Sequence, residues 1–473
     1  MARRALASAA LTVLALLAFT GGARAEPVTV MTFNVWYGGV QVDFPAIGQA
    51  IRAADADIVG VQEPEGRLRR IARSAGLPYV DETLHVISRY PLFAADVAGV
   101  RVAYAAVDLD HVVAIANVHL TATPYGPEWI RDGRSAAAVL KLERETRLPE
   151  IKPYLRPLAA LARRGVPVFL TGDMNSPSHL DWPSLEWPVS KALADAGFRD
   201  SYRDVHPDPE ARPGLTWTPG TPPPLIKPNE TLDRIDWVMA SGPSTTLSSR
   251  LVGEAGGPDV DVGLAPWGSD HRAVASTFDA TPGPAPKLVS ASPRVARLGQ
   301  TLTIRYTTTA GRGRRIGILP AHSDRPIVTL PILDARDHLA AFFGTRSLGA
   351  GAYRAALLGG RGEIQASSPF WVLPRGAQPR IAATQGSFAA GEPIRLPWRN
   401  APGNKLDWIG IFRAGPLDVY DYLGFSYLGA LPHGSVGFAP GDLYTKLKPG
   451  RYVAGLFLDD GYSLLARRTF RVR

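Results

Sequence analysis

Short apolar runs recur through the first part of the chain, and each closes on a polar side chain. Residues 28–33 are rich in β-branched and aromatic types and end at Asn34, and residues 57–61 end at Gln62 and Glu63. Residues 111–120 carry His119 near their end, residues 166–171 break at Gly172 before Asp173 and Asn175, and residues 232–239 carry Asp236. Asp270 and His271 precede a last apolar run at 273–278. Runs of this length, bounded by Gly, Pro, Asn and Asp, predict buried strands. Two stretches between them read as helical. Ile47, Ala50, Ile51 and Ala54 fall on one face after Asp43, a candidate cap, and the Leu/Ala/Arg-rich segment 131–164 is expected to be interrupted at Pro149, Pro153 and Pro157. A Trp- and Pro-rich loop region runs to Asn229.

Beyond residue 280 the helical pattern disappears and period-2 alternation takes over. Residues 280–286 and 373–379 have the Pro/Gly composition of linkers. The units after each resemble one another. Leu302, Ile304 and Tyr306 behind Gly299 match Ile394, Leu396 and Trp398 behind Gly391, and Ile316-Gly317-Ile318 matches Ile409-Gly410-Ile411. This predicts an internal duplication of a β-sandwich. The organisation read from the chain is a leader at 1–25, a catalytic domain at 26–281, and β-sandwich modules at 286–373 and 379–473.

Composition changes the picture in three ways. Arg3 and Arg4 before an apolar stretch, with Ala23 and Ala25 at cleavage positions, predict a signal peptide cleaved near Ala25 and export to the periplasm or the extracellular space. No later stretch is long enough for a transmembrane segment. There is no cysteine, so disulfides and thiolate metal sites are excluded and any metal must take oxygen or nitrogen ligands. Residues 26–283 hold 24 Lys and Arg against 32 Asp and Glu, whereas residues 284–473 hold 25 against 11. The basic C-terminal modules read equally as a spacer with a solvated surface and as a docking surface for an anionic polymer or the envelope; a basic partner surface, if the chain has one, is expected there. The acidic balance around the candidate site speaks against the basic groove of a nuclease.

Taken singly, Asn34 reads as a turn residue, Glu63 as a surface carboxylate, His119 as a core histidine and Asp236 as an ion-pair partner. Taken together, acids, amides and imidazoles at successive strand ends are the equipment of a metal-assisted hydrolase. Asp173 and Asn175, two residues apart, suit a water between them, the acid accepting its proton and the amide fixing its orientation.

The motifs Phe33-Asn34, Gln62-Glu63, Ser88-Arg89-Tyr90-Pro91, Val118-His119-Leu120, Gly172-Asp173-Met174-Asn175, Arg234-Ile235-Asp236 and Ser269-Asp270-His271 occur in an order that resembles the endonuclease/exonuclease/phosphatase superfamily, with its deoxyribonuclease-like and sphingomyelinase-like fold. The resemblance spans about residues 27–279, and the stretch Gly172–Trp182, with Ser178-His179-Leu180-Asp181-Trp182, further looks like that of a group of secreted bacterial members. It implies an α/β fold, a four-layer sandwich of two facing β-sheets flanked by helices, here followed by two all-β sandwich domains. It also implies a Mg²⁺ or Mn²⁺ ion on Glu63, with Asn34 beside it and Asp270 near the metal. Asp173 and Asn175 would position the water, Asp236 would orient His271, and His119 would stabilise the pentavalent state; which histidine serves as base stays open. Asp236 is preferred to Asp233 because it alternates with Ile235 and Trp237. Trp36 stands where some relatives carry a second acid, which speaks against a second tight metal site.

The expected activity is that of a secreted, metal-dependent phosphoric ester hydrolase, a phosphatase or phosphodiesterase acting on a mono- or diester, with a small molecule or lipid headgroup favoured. Trp182, Trp187, Trp217 and Trp267 are candidates for the exposed apolar loop of a lipid-directed enzyme. The alternatives are a secreted nuclease and a non-catalytic envelope-binding protein. The latter would have lost a motif residue, and none is missing.

Overall fold

The computed structural model describes residues 26–473 except 109, 218–230, 308–312, 333–339 and 420. The expected leader at 1–25 and the loop end at Asn229 lie outside the described residues. No helix among the described residues is long and apolar enough to cross a membrane.

The apolar runs of the first part become strands of two sheets. One sheet has the order Val262–Leu264, Ser244–Glu254, Ala273–Ala280, Glu26–Asn34, Ile58–Gln62, Val86–Ser88, Tyr79–Asp81. The other runs Leu92–Val97, Val100–Ala106, His111–His119, Val168–Asp173, Asp236–Ser241, Arg199–Asp200. Alternating residues of both sheets meet in a shared core that includes Val30, Ile58, Val113, Ile115, Phe169, Val238, Val274 and Phe278. The outer face of the first sheet is covered by the helices Phe44–Ala53 and Leu68–Ala75, through Ile47, Ile51, Ile71 and Ala72. The outer face of the second is covered by Arg147–Arg163 and Pro188–Asp195, through Ile151, Leu158, Leu161, Val189 and Leu193. This is the four-layer α/β sandwich, and its central strands are apolar on both faces because both faces are covered.

Two local expectations change. Asp43 occupies the N-cap position of Phe44–Ala53 in extended conformation, but its side chain makes no capping hydrogen bond. Pro153 and Pro157 do not interrupt the second helical segment; both lie inside Arg147–Arg163, and the break falls instead at Thr146. Pro149 sits in the first turn, where its missing N–H is not needed. Pro153 and Pro157 follow at intervals of four residues, so each displaced hydrogen bond would have ended on a preceding proline of the same helix face. Burial of Ile151, Leu158 and Leu161 against the sheet outweighs their cost.

The C-terminal region forms two all-β sandwiches of equal topology. In each, a three-stranded sheet faces a five-stranded one. The first pairs Val289–Ser292, Thr301–Tyr306 and Ala340–Gly344, against Val295–Arg297, Ile364–Leu373, Gly351–Leu358, Arg315–Pro320 and Val328–Pro331. The second repeats that order with Arg380–Ile381, Ile394–Arg399 and His433–Phe438, against Ser387–Phe388, Leu464–Val472, Gly450–Phe457, Trp408–Arg413 and Tyr422–Tyr427. Even the parallel edge pairing recurs, Val295–Arg297 on Ile364–Leu373 and Ser387–Phe388 on Leu464–Val472.

Candidate active site

Strand register gathers the polar strand ends. In the first sheet, Glu26–Asn34 and Ile58–Gln62 run parallel with Asn34 opposite Gln62, so Glu63 emerges beside Asn34. In the second, His119 lies opposite Asp173 in a parallel pair and Asp236 opposite Asp173 in an antiparallel one. Three site residues thus occupy one row across three strands. His271 comes from the segment leading into Ala273–Ala280, which is antiparallel to Glu26–Asn34 and begins next to its end. Ser269 ties the two together, its hydroxyl donating to the Asn34 carbonyl at 2.7 Å and accepting from the His271 N–H at 3.1 Å.

Asp173 is at the centre. Its Oδ2 accepts from Asn34 Nδ2 at 3.0 Å, and its Oδ1 accepts from the Asn175 backbone N–H at 2.9 Å. His119 Nε2 approaches the same Oδ2 at 3.5 Å and His271 Nε2 at 3.7 Å. Behind each imidazole stands another carboxylate. His271 Nδ1 donates to Asp236 Oδ2 at 2.9 Å, and His119 Nδ1 lies 3.3 Å from Oδ2 of Asp460. Two carboxylate–imidazole pairs therefore converge on Asp173. Burial pushes Asp236 up and would push His271 down, but Asp236, Asp173 and Asp270 outweigh it and hold the His271 imidazole well above its ordinary value. Burial likewise opposes charge on His119, yet Asp460, Asp173 and Glu63 raise it to about 9.

Asn34 also donates Nδ2 to Glu63 Oε1 at 3.1 Å, and its Oδ1 accepts from the Trp36 N–H at 3.0 Å. It is thus the amide nitrogen that faces the two acids. Glu63 Oε2 accepts from the Tyr37 N–H at 3.0 Å. Glu63 and Asn175 both lie in the left-handed region, at φ 55° and 47°, a conformation that Asn tolerates and that costs Glu about 1–2 kcal/mol. Asn175 donates Nδ2 to the Leu120 carbonyl at 3.0 Å, which leaves Oδ1 as the atom able to face a water.

Asp270 is the fit test for a metal ion. Its Oδ1 is buried and has no hydrogen-bond partner. Burial, with Glu63 nearby adding repulsion against the pull of His271, raises its carboxyl to about 7. A buried carboxylate oxygen without a hydrogen-bond partner, with a second acid near enough to repel it, suits a hard divalent cation, which would compensate both. Asp173, Asp236 and His271 also bring ligand-type atoms within 4.8 Å of one another, but there the Asp236–His271 hydrogen bond already accounts for the closeness.

Several supporting residues carry no distinctive signal in the sequence. Asn117 accepts from Gln62 Nε2 at 2.6 Å and from the Thr171 hydroxyl at 3.0 Å, joining the two sheets beneath the site. Gly60 is what permits this, because a Cβ there would meet Thr171 Oγ1 at 2.0 Å. Thr216 accepts from the N–H groups of Ile235 and Asp236, both at 3.0 Å. Trp217 lies over His271 with centroids 4.9 Å apart. The Asp233–Asp236 ambiguity resolves spatially: Asp236 meets His271, whereas Asp233 accepts from the Tyr125 hydroxyl at 2.8 Å. The tryptophans do not form an apolar loop. Trp187 and Trp267 are buried, Trp267 stacked on Phe33 and Trp187 edge-on to Trp182.

A family model described as the endonuclease/exonuclease/phosphatase family matches residues 31–271. An uncharacterized protein of Caenorhabditis elegans is 26% identical over 259 residues, which cover 46% of this chain and 79% of that protein. Among solved structures, an endonuclease/exonuclease/phosphatase from Beutenbergia cavernae is 18% identical, covering 73% of this chain and 99% of its own, at a TM-score of 0.35. An AP endonuclease from Archaeoglobus fulgidus is 15% identical and covers 54% of this chain and 100% of its own, at 0.33. A mannosyl-6-phosphatase of Bacteroides thetaiotaomicron, also 15% identical, covers 53% and 99%, at 0.29. Likenesses of this degree do not discriminate between substrates. The family match spans just over half of the chain and takes in every motif residue from Phe33 to His271, and the chain accordingly belongs to the endonuclease/exonuclease/phosphatase family, whose members are phosphatases, nucleases and phosphodiesterases.

Proposed function

We propose that the protein is an exported, divalent-metal-dependent hydrolase of a phosphate mono- or diester, with a small molecule or a headgroup as substrate. The observation that carries this reading is the convergence of two carboxylate–imidazole pairs on Asp173, near Glu63 and the buried, partnerless Oδ1 of Asp270. Glu63 and Asp270 would hold the ion, Mg²⁺ or Mn²⁺, with Asn34 bridging Glu63 to Asp173. When bound, such an ion neutralises charge on a phosphoryl oxygen and on the departing oxygen. Asp173 accepts the proton of a water that Asn175 orients, and the two imidazoles, kept protonated by the acids behind them, offer Nε2–H groups to the phosphoryl oxygens.

A small substrate is favoured over a polymer by the acidic balance of residues 26–283. The basic C-terminal region would recruit anionic polymer or envelope, and that binding should weaken steeply with added salt.

The test is a panel of phosphate mono- and diesters assayed with Mg²⁺ and with Mn²⁺, beside chelated buffer and Glu63→Gln. Turnover that requires added metal and is lost in Glu63→Gln is the expected result. Full activity of Glu63→Gln in chelated buffer would overturn the assignment.

A further inference from the structure

The second sandwich reaches the site through one hairpin, the turn between Gly450–Phe457 and Leu464–Val472. Its tip is Leu458-Asp459-Asp460-Gly461, and both aspartates adopt left-handed backbone, at φ 48° and 65°. The turn is closed by the Gly461 N–H on the Leu458 carbonyl at 2.8 Å and braced from inside its own module. Asp460 N–H donates to the Leu406 carbonyl at 2.8 Å, Asp459 N–H to Asp407 Oδ1 at 3.1 Å, and Trp408 Nε1 to the Gly461 carbonyl at 3.0 Å.

On the other side the hairpin is seated on the catalytic domain. Asp459 is buried; its Oδ1 meets His85 Nε2 at 2.6 Å and its Oδ2 accepts from the Gly66 N–H at 2.9 Å. The backbones approach so closely that a Cβ on Gly66 would lie 2.8 Å from Leu458 and one on Gly461 would lie 2.7 Å from Glu65. Asp460, one residue on, is thereby aimed at His119 Nδ1, 3.3 Å away, while its Oδ1 accepts from the Tyr427 hydroxyl at 2.6 Å.

Two comparisons within the molecule separate this from incidental domain contact. Asp236–His271 and Asp460–His119 have the same form, a carboxylate at Nδ1 with Nε2 turned to Asp173 Oδ2. One is built wholly within the catalytic domain, and the other is completed from outside it. The first sandwich, of equal topology, carries Gly359-Gly360-Arg361-Gly362-Glu363 between the paired residues Leu358 and Ile364, where the second carries six residues, 458–463, between Phe457 and Leu464. The turn that touches the site is thus the one that differs in length and acquires adjacent acids.

We infer that the second C-terminal sandwich completes the active site in cis, with Asp460 as the positioning residue that fixes His119 for catalysis. A carboxylate at Nδ1 holds a proton there and fixes the ring orientation of a histidine, so that Nε2–H stays directed at the reacting group. The role assigned to His119 rests on the phosphoesterase reading; the contact itself does not.

The experiment uses the full chain with Asp460→Asn and Asp460→Gly. Both replacements tolerate left-handed backbone, so the turn is retained while the charge, or the whole side chain, is removed. Loss of an orienting partner of this kind is expected to lower kcat by about 10- to 100-fold, with KM within about twofold and the Tm nearly unchanged. In a His119→Ala background both changes should be silent, since Asp460 acts through that ring. Unchanged kcat in Asp460→Gly, or the same fold-loss with and without His119, would overturn the inference. A readout independent of turnover is the ¹⁵N and Nδ1–H signature of His119 by NMR, expected to shift and lose protection from exchange in Asp460→Gly. If no phosphate ester is turned over by the wild-type chain, the functional reading fails and the spectrum alone decides: a shift upholds the pairing, and an unchanged signature sinks it.

Discussion

Asp236 sits where its charge has one use. It is fully buried, its Oδ2 accepts from His271, and its Oδ1 has no partner. Asp236→Asn keeps the shape and removes the charge that holds the His271 imidazole protonated, so kcat should fall by about 10²-fold or more. His119→Ala and His271→Ala should each cost about 10²–10⁴-fold, and the double variant far less than the product, because both rings serve one phosphorus atom. Multiplicative losses in steady-state kinetics would assign the rings to separate functions. Asp233 gives a prediction on stability. Burial, against the Tyr125 hydroxyl, raises its carboxyl from the ordinary range to about 6. A raised folded-state value means that the folded protein binds the proton more tightly, so stability tied to this group is full below about pH 4 and is lost as pH rises through 6. Asp233→Asn should therefore gain on the wild type between pH 4 and 7, by at most about 3 kcal/mol. Melting curves across that range, with a pH-independent difference as the contrary result, check it.

The loop leading into Asp236–Ser241 is held by one buried cation. Arg234 bonds Asp200 Oδ2 at 2.6 Å and Asp181 Oδ2 at 2.9 Å, while Arg203 Nε bonds Asp181 Oδ1 at 2.6 Å. The two acids raise the guanidinium further despite burial, so it stays charged. Arg234→Ala leaves those acids without their shared partner, and a loss of about 3–5 kcal/mol is expected in denaturant unfolding. Change confined to kcat, with stability intact, would mean that Arg234 acts on substrate instead. The strands themselves are secured between the sheets, where Phe169 and Phe278 pack with centroids 4.7 Å apart. Their hydrophobic runs are legible in the sequence because strands covered on both faces lose alternation and read as continuous apolar stretches. The helix Arg147–Arg163 was less legible, since proline counts against a helix locally and only packing on the second sheet reverses the balance.

Across the whole molecule, the linker composition of residues 280–286 does not keep the C-terminal modules clear of the catalytic domain. Gly283–Pro284 pairs with His111–His119, Ser290 Oγ donates to the Leu92 carbonyl, Lys405 donates to the Asn117 carbonyl, and Asp459 is buried against His85. Gly66→Ala should disturb this seat, both because φ is +73° and because the new Cβ would press on Leu458. Faster hydrogen exchange across residues 458–463, together with lowered kcat, is the expected outcome; unaltered exchange would show the seat to be tolerant.

Local composition was enough to determine the strand ends, the order of motif residues, the oxygen-and-nitrogen character of any metal site and the duplication of the sandwiches, because hydrophobic period and residue chemistry are properties of short segments. Tertiary structure alone decided which acid serves His119. Alternation with Ile235 and Trp237 already favours Asp236 over Asp233 in the sequence, and in the fold His271 meets Asp236 while Tyr125 takes Asp233. Asp460 was invisible for a stricter reason. An Asp-Gly step in a hairpin is ordinary turn chemistry, and only docking of a surface 341 residues away in sequence turns that turn into part of a catalytic site.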